Sequence, residues 1–153
     1  MTDIASRLAE LGIALPEAAA PVAAYVPTVL AGNLLHIYGQ VSQENGERLT
    51  GRVGEDRDLA YGVRAARSCG LMLLAQIERA VGLDRVERIV KLGVFVNSAA
   101  SFTDQPKVAN GASELMQDVF GEASRHARSA LGVPVLPLGA CVEIDAIVQV
   151  KEG

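Results

Sequence analysis

Residues 126–146 read HARSALGVPVLPLGACVEIDA, the stretch from which the fold is most directly inferred, because it contains two segments with strand composition. In the later segment, Ala140 to Lys151, successive side chains alternate between the two faces of a strand. One face therefore carries an apolar set: Val142, Ile144, Ala146 and Val148. The earlier segment, Ser129 to Leu136, includes Pro134, which has no N–H to donate, so we expect a sheet edge or a bulge there. The turn at residues 137–139 is predicted to join the two strands.

Two acidic side chains lie on the face of the last strand opposite to its apolar set. Glu143 and Asp145 share this face with Cys141. Two interpretations are open: the face is either the solvent-facing side of a half-exposed sheet or part of a pocket that a carboxylate lines. In the second case Arg128, one strand earlier, is a counter-charge or a clamp for an anionic ligand.

The chain upstream of this stretch is predicted to form three helices and three strands. In chain order they are a short amphipathic helix Asp3 to Leu11, strands Ala24 to Leu30 and Leu34 to Ser42, a helix Asp58 to Val81, a strand Arg88 to Asn97, and a helix Asp104 to Phe120 capped by Thr103. Asn45-Gly46 predicts a hairpin. Strand pairs at both ends, with two main helices between them, indicate an α+β fold with the helices on one face of a mixed sheet. Residues 1–20 then form an N-terminal helix and connector, and residues 21–153 form the domain.

The composition is that of an ordinary soluble protein of one domain, with 153 residues, of which 50% are hydrophobic and 21% charged. A net charge of −4 and an aromatic content of 4% disfavour nucleic acid as a partner. No apolar run reaches the ~20 residues that span a bilayer, and no signal peptide is recognisable. Cys69, Cys141 and the two histidines lack disulfide or metal-ligand spacing, so we expect a reduced, cytoplasmic protein without a metal. No phosphate-binding glycine motif occurs, and no cofactor is expected.

The C-terminal stretch also resembles the signature of a known family. Arg128-Ser129, Leu136-Pro137 and residues 142–146 (VEIDA) are similar to the pattern of the YjgF/RidA family, the reactive-intermediate (enamine/imine) deaminases. Further similarity lies at Tyr25, at residues 38–41 (YGQV, where the family has Ser-Gly-Gln-Ile) and at residues 90–96. The resemblance extends over residues 21–150.

The resemblance implies a chorismate-mutase-like α+β subunit that assembles as a homotrimer, with pockets between neighbouring subunits. In the deaminases of this family, the arginine that matches Arg128 holds the carboxylate of a 2-imino acid, and the glutamate that matches Glu143 positions water. The resemblance therefore implies that these two residues are catalytic. Tyr25, Tyr38 and Gly39 complete the substrate-binding residues, again by resemblance.

The chain departs from the family pattern at several positions. Tyr38 replaces the serine before the glycine, and Ala130 replaces the cysteine two residues after the arginine. Residues 108–113 lie where the family has the start of a helix with an asparagine, and the N-terminal helix is an addition to the minimal unit. His126, two residues before Arg128, is either a proton shuttle or a loop histidine without a catalytic role. His36 is expected in the core or in a pocket wall.

Three functions are compatible with this sequence. The first is cofactor-independent hydrolysis of reactive imines or enamines by Arg128 and Glu143. The second is a trimer that binds small carboxylates for regulation without turnover. The third, endoribonuclease or translation inhibitor, is disfavoured by the negative net charge. Independently of the resemblance, helices on one sheet face leave the other face uncovered, which predicts association between subunits.

Overall fold

A mixed sheet of five strands forms the centre of the computed structural model, which describes residues 3–21 and 24–152. Its strands are β1 Thr28–Ala31, β2 Leu34–Val41, β5 Val86–Asn97, β6 Ala127–Val133 and β7 Val142–Val150, and a separate hairpin consists of β3 Gln43–Glu44 and β4 Glu47–Arg48. The sheet order is β1-β2-β7-β5-β6, in which only β5 and β6 are parallel. β6 is therefore an edge strand, and it ends at Val133, directly before Pro134.

Three helices accompany the sheet: α1 Ile4–Glu10, α2 Leu59–Ala80 and α3 Gln105–Phe120. Asp58 caps α2 by accepting a hydrogen bond from the Tyr61 amide. The apolar faces of α2 and α3 pack on one side of the sheet, where the largest buried side chains include Leu73, Leu115 and Ile144. No helix of the described residues covers the other side, which we call the open face. No helix within residues 3–21 and 24–152 is long and apolar enough to cross a membrane.

The α+β fold with two main helices on one face and a short N-terminal helix is thus confirmed. The apolar set of β7 faces the helices, and Glu143 and Asp145 lie on the open face. α1 packs on α3, and Arg7 Nε donates to the Asp118 carbonyl at 2.8 Å. The predicted hairpin is also confirmed: Asn45 and Gly46 both have positive φ, 51° and 80°, as its two-residue turn requires.

The predicted C-terminal hairpin is wrong. β6 and β7 do not pair, because β5 lies between them and hydrogen-bonds to both. The connection at residues 134–141 therefore crosses from the edge of the sheet to its centre. Arg128 and Glu143, expected on neighbouring strands, are two strands apart.

Four further expectations are corrected. The first strand begins at Thr28, so Tyr25 precedes it; Pro27 has no N–H and contributes only its carbonyl, which accepts from the Tyr38 amide at 3.1 Å. His36 is exposed on β2 rather than buried. α3 has Asp104 and not Thr103 at its N-cap. The sequence alternation predicts that Val90 shares one side of its strand with Leu92, Val94 and Val96, but the register of β5 shifts after Ile89, so Ile89 and not Val90 is buried with them.

Candidate functional site

The predicted site residues lie in two separate clusters of side chains on different parts of the sheet. The first, the Glu143 cluster, consists of Tyr25, Tyr38, Gly39 and Glu143. The second, the Arg128 cluster, consists of Asn110, Ser113, His126 and Arg128. Only Arg128 of this second cluster is a site residue predicted with a definite role.

The Glu143 cluster is built on a bulge in β2. The pairing with β7 shifts between Ile37 and Gln40, so Tyr38 and Gly39 occupy the bulge. A Cβ atom at Gly39 would overlap the Glu143 carboxylate, so the absence of a side chain lets this carboxylate lie against the strand. Any larger residue at position 39 would displace the Glu143 carboxylate.

Two tyrosines stand beside this bulge. The ring centroids of Tyr25 and Tyr38 are 5.3 Å apart, and the Tyr38 hydroxyl donates to the Ala19 carbonyl at 3.3 Å. The same carbonyl accepts from Nε2 of the buried Gln76 on α2 at 2.7 Å. Burial raises the pKa of the Tyr38 phenol, and Tyr25 raises it further, so the phenol is a protonated donor at neutral pH. Tyr38 thereby ties the N-terminal connector to the sheet.

The carboxyl group of Glu143 has an increased affinity for protons. Burial raises its pKa, and the nearby Asp145 carboxylate raises it further. Burial also raises the pKa of Asp145, whereas a hydrogen bond from the Gly93 backbone and the attraction of Lys91 lower it by smaller amounts. A carboxylate with a raised pKa is a stronger base toward water, which is the role that the resemblance implies for Glu143.

The Arg128 cluster is built between β6 and the first three turns of α3. Arg128 Nη1 donates to Asn110 Oδ1 at 2.9 Å and to Ser113 Oγ at 3.0 Å, and Nη2 donates to the Pro106 carbonyl at 3.3 Å. Asn110 and Ser113 are three residues apart on the helix and so face the strand together. All three acceptors are uncharged.

The guanidinium of Arg128 keeps its positive charge unneutralised. In the described part of the chain, no carboxylate lies within salt-bridge distance of it. Three of its five N–H donors are used, which leaves the one on Nε and one on Nη2. These two nitrogens form the side of the fork that holds a carboxylate with two parallel hydrogen bonds. The arrangement can therefore bind an anion.

Arg128 and Glu143 do not meet within one subunit. Arg128 pairs with Leu92 of β5, and Leu92 pairs with Ala146 of β7. Glu143 is therefore two inter-strand spacings across the sheet and three residues along it, about 14 Å between Cα atoms. Moreover, the Arg128 side chain reaches α3, whereas Glu143 lies on the open face.

Sequence reasoning missed Ser113, which contacts both Arg128 and His126. Its signal was a pair of polar residues, Asn110 and Ser113, spaced three apart in the otherwise apolar segment 108–113. Cys141 is fully buried, and burial raises the pKa of its thiol to about 11. Within residues 3–21 and 24–152, no group of three or more histidine, cysteine or acidic side chains is placed to hold a metal ion.

Comparison with known protein families gives a match along almost the whole chain. Residues 5–149 match the model of the family described as "YjgF/chorismate_mutase-like, putative endoribonuclease". Over 151 residues the chain is 51% identical to Protein TCP17 of Trypanosoma cruzi, which covers 97% of this chain and 94% of that protein.

Two further similarities concern the fold and a named activity. The crystal structure of the protein Atu1372 from Agrobacterium tumefaciens is similar with a TM-score of 0.90 and 46% identity, over 97% of this chain and 92% of that one. A 2-iminobutanoate/2-iminopropanoate deaminase of Dermatophagoides farinae is 28% identical over 141 residues, 91% of this chain and 95% of that protein.

Proposed function

Because this chain belongs to the YjgF/chorismate-mutase-like family, we propose that it hydrolyses reactive 2-imino acids and their enamine tautomers to 2-keto acids and ammonia without a cofactor. The observation that carries the proposal is the half-buried Arg128, whose side-on fork is free and whose charge is neutralised by no carboxylate of the described residues. A 2-imino acid presents the carboxylate that such a fork fits. The named activity of the Dermatophagoides farinae relative supports this substrate class.

The proposed pocket lies between subunits of a homotrimer. Since Arg128 and Glu143 point to different sides of one sheet, one subunit supplies Arg128 and its neighbour supplies Glu143. The neighbour also supplies Gly39, against which the Glu143 carboxylate lies, together with Tyr38 next to it and Tyr25, whose ring packs on that of Tyr38. A site divided in this way requires association for activity, which fits a fold whose open face carries no helix.

In the proposed reaction, Arg128 binds the substrate carboxylate and so fixes the position of the adjacent imine carbon. Glu143 accepts a proton from water as the water oxygen forms its bond to that carbon. The nitrogen receives this proton from Glu143 and then the hydroxyl proton of the adduct, and the carbon–nitrogen bond breaks as the carbonyl forms and ammonia leaves. The products are a 2-keto acid, whose oxygen comes from water, and ammonia, so no oxidant or reductant is needed.

The test measures release of ammonia and keto acid from an imine that an amino acid oxidase generates in the assay, relative to a reaction without the protein. We expect Arg128→Ala to abolish binding of 2-keto and 2-imino acids, and Glu143→Gln to keep binding but slow turnover about 10²–10⁴-fold, the usual effect of losing a general base. The matched control is Arg48→Ala, an exposed arginine on β4 that does not line the cavity around Arg128.

Each of the other outcomes has a distinct meaning. If wild-type protein binds 2-keto acids but releases no ammonia above the control, the protein is a carboxylate-binding regulator and the proposed activity is wrong. If Arg128→Ala unfolds the protein while affinity per folded subunit is unchanged, Arg128 is structural. Salt-dependent RNA binding that leads to cleavage would instead support an endoribonuclease.

A further inference from the structure

The Arg128 cluster contains a histidine and a serine to which the proposed reaction assigns no role. Ser113 Oγ lies 3.0 Å from His126 Nε2 and 3.0 Å from Arg128 Nη1. His126 Nδ1 contacts the carbonyl of Ser124. Four groups from three elements are therefore linked in one chain of hydrogen bonds: the Ser124 carbonyl after α3, the imidazole before β6, the Ser113 hydroxyl on α3 and the Arg128 guanidinium on β6.

The direction of each hydrogen bond in this chain follows from its ends. A carbonyl only accepts, so His126 Nδ1 carries a proton and donates to Ser124. In neutral imidazole the other nitrogen then accepts, so the Ser113 hydroxyl donates to Nε2. With its proton directed toward His126, Ser113 presents its lone pairs to Arg128, which only donates. The histidine thus determines which way the serine faces.

We propose that Ser113 and His126 are positioning residues that orient the Arg128 guanidinium for side-on binding of a carboxylate. Ser113 and Asn110 occupy both donors of Nη1, so the guanidinium plane is fixed. The donors on Nε and Nη2 are then held toward the ligand before it arrives. Holding a rotamer-rich side chain in its binding geometry in advance increases affinity, because less conformational entropy is lost on binding.

The proposal rests on the proposed function only for the identity of the ligand, a small 2-keto or 2-imino acid. Its test is therefore a binding measurement. Calorimetric titration with 2-oxobutanoate, the keto product expected from 2-iminobutanoate, gives a Kd whether or not the protein turns over. Steady-state deamination supplies kcat and KM where turnover occurs.

We expect Ser113→Ala and His126→Phe each to raise the Kd about tenfold, the usual effect of losing one hydrogen bond to a charged group. The value of kcat stays within about threefold, because neither residue touches the reacting atoms. His126→Gln keeps an acceptor for the Ser113 hydroxyl and recovers part of the affinity. The matched control is Asp118→Ala, an exposed side chain on α3 that does not line the cavity around Arg128, which leaves the Kd unchanged.

The double variant Ser113→Ala/His126→Phe separates one linked chain from two independent effects. If His126 acts through Ser113, the double variant binds 2-oxobutanoate no more weakly than Ser113→Ala alone. If the double variant raises the Kd by the product of the two single-variant factors, the proposal is overturned. A Kd that is unchanged in both single variants also overturns it. A fall in kcat of tenfold or more with an unchanged Kd also overturns it, because the two residues would then act on the chemistry. Absence of turnover in wild-type protein refutes only the proposed deaminase.

Discussion

Glu143 is a residue of the candidate site whose charge lowers the free energy of unfolding at neutral pH. Its carboxyl is half-buried on the open face, and burial together with Asp145 raises its pKa above the ordinary value. The folded protein therefore binds this proton more tightly than the unfolded chain does. The free energy of unfolding consequently falls as the pH rises from the ordinary carboxyl pKa, about 4.3, through the raised one, and the loss is complete above it.

We expect Glu143→Gln to raise the free energy of unfolding at pH 7, because the amide removes a half-buried charge that forms no salt bridge with any described residue of its own subunit. The variant should also lose part of the decrease in stability between acidic and neutral pH. Urea unfolding of both proteins at several pH values, at one fixed subunit concentration, measures both effects.

The control for this stability measurement is Glu87→Gln, because Glu87 is exposed at the start of β5. Its free energy of unfolding should match that of wild type across the same pH range. A Glu143→Gln protein that is less stable than wild type at pH 7 would show that a compensating cation, such as Arg128 of the neighbouring subunit, stabilises the carboxylate. The expectation that the Glu143 charge lowers stability would then be wrong.

At the level of helices, the position of the Arg128 cluster depends on how closely α3 approaches α2. Gly111 lies between Asn110 and Ser113, and a Cβ atom there would overlap the Val63 carbonyl oxygen of α2 and lie 3.2 Å from the Arg67 amide nitrogen. Both atoms are backbone and have little room to move. Gly111 thus sets the distance between the two helices, and with it the position of Asn110 and Ser113 relative to the Arg128 guanidinium.

We expect Gly111→Ala to lower the free energy of unfolding by about 1–3 kcal/mol, the usual effect of overpacking. It should also weaken 2-oxobutanoate binding, because the displaced helix carries the acceptors for Arg128. Urea unfolding and calorimetry measure the two effects.

Gly70→Ala on α2 is the matched comparison for Gly111→Ala. The new Cβ would lie 2.9 Å from Leu115 Cδ2, the flexible end of a side chain, and alanine favours helix by about 0.5–1 kcal/mol over glycine. We therefore expect a change within about 1 kcal/mol of wild type. Equal losses in the free energy of unfolding for Gly70→Ala and Gly111→Ala would mean that the backbone contact at Gly111 costs no more than a contact with a flexible side chain.

The elements that sequence predicted correctly are those with local signals. Asp58 and the apolar stripe after it predict α2, and Asn45-Gly46 predicts its hairpin. The pairing of β6 was not predictable in this way, because its parallel partner β5 is separated from it by α3. The alternation of apolar residues indicates that a segment is a strand, but it does not indicate which other strand pairs with it.

The same limit applies to the site. The alternation of β7 correctly predicted that Glu143 and Asp145 share a face, because the residues between them are apolar. β6 contains no such apolar alternation, so the side on which Arg128 lies could not be derived from its sequence. The contact between His126 and Ser113 joins a loop to a helix, and no sequence period links two such positions.

In the assembled molecule, the apolar side chains that favour association lie on the open face of the sheet. The apolar set of β7 packs under the helices and requires no partner. The open face instead carries Val29 and Leu131 near its two edges, 52% and 51% exposed, with the half-buried Phe95 and Ile147 between them. Exposed apolar side chains on an uncovered sheet favour contact with another subunit. Light scattering at micromolar concentration should give three times the subunit mass, and a monomer mass would contradict the proposed trimer.

A divided site predicts that two inactive variants restore each other. Arg128→Ala subunits keep Glu143, and Glu143→Gln subunits keep Arg128. When equal amounts are unfolded together, refolded and assembled at random in a cyclic trimer, about one quarter of the sites combine an intact Arg128 with an intact Glu143 from the neighbour. Ammonia release should then recover to about one quarter of the wild-type rate. Each variant refolded alone stays inactive, as does a mixture of the two without exchange of subunits. If refolding together restores nothing while trimers form, both residues act from one subunit, and the geometry proposed for the pocket is wrong.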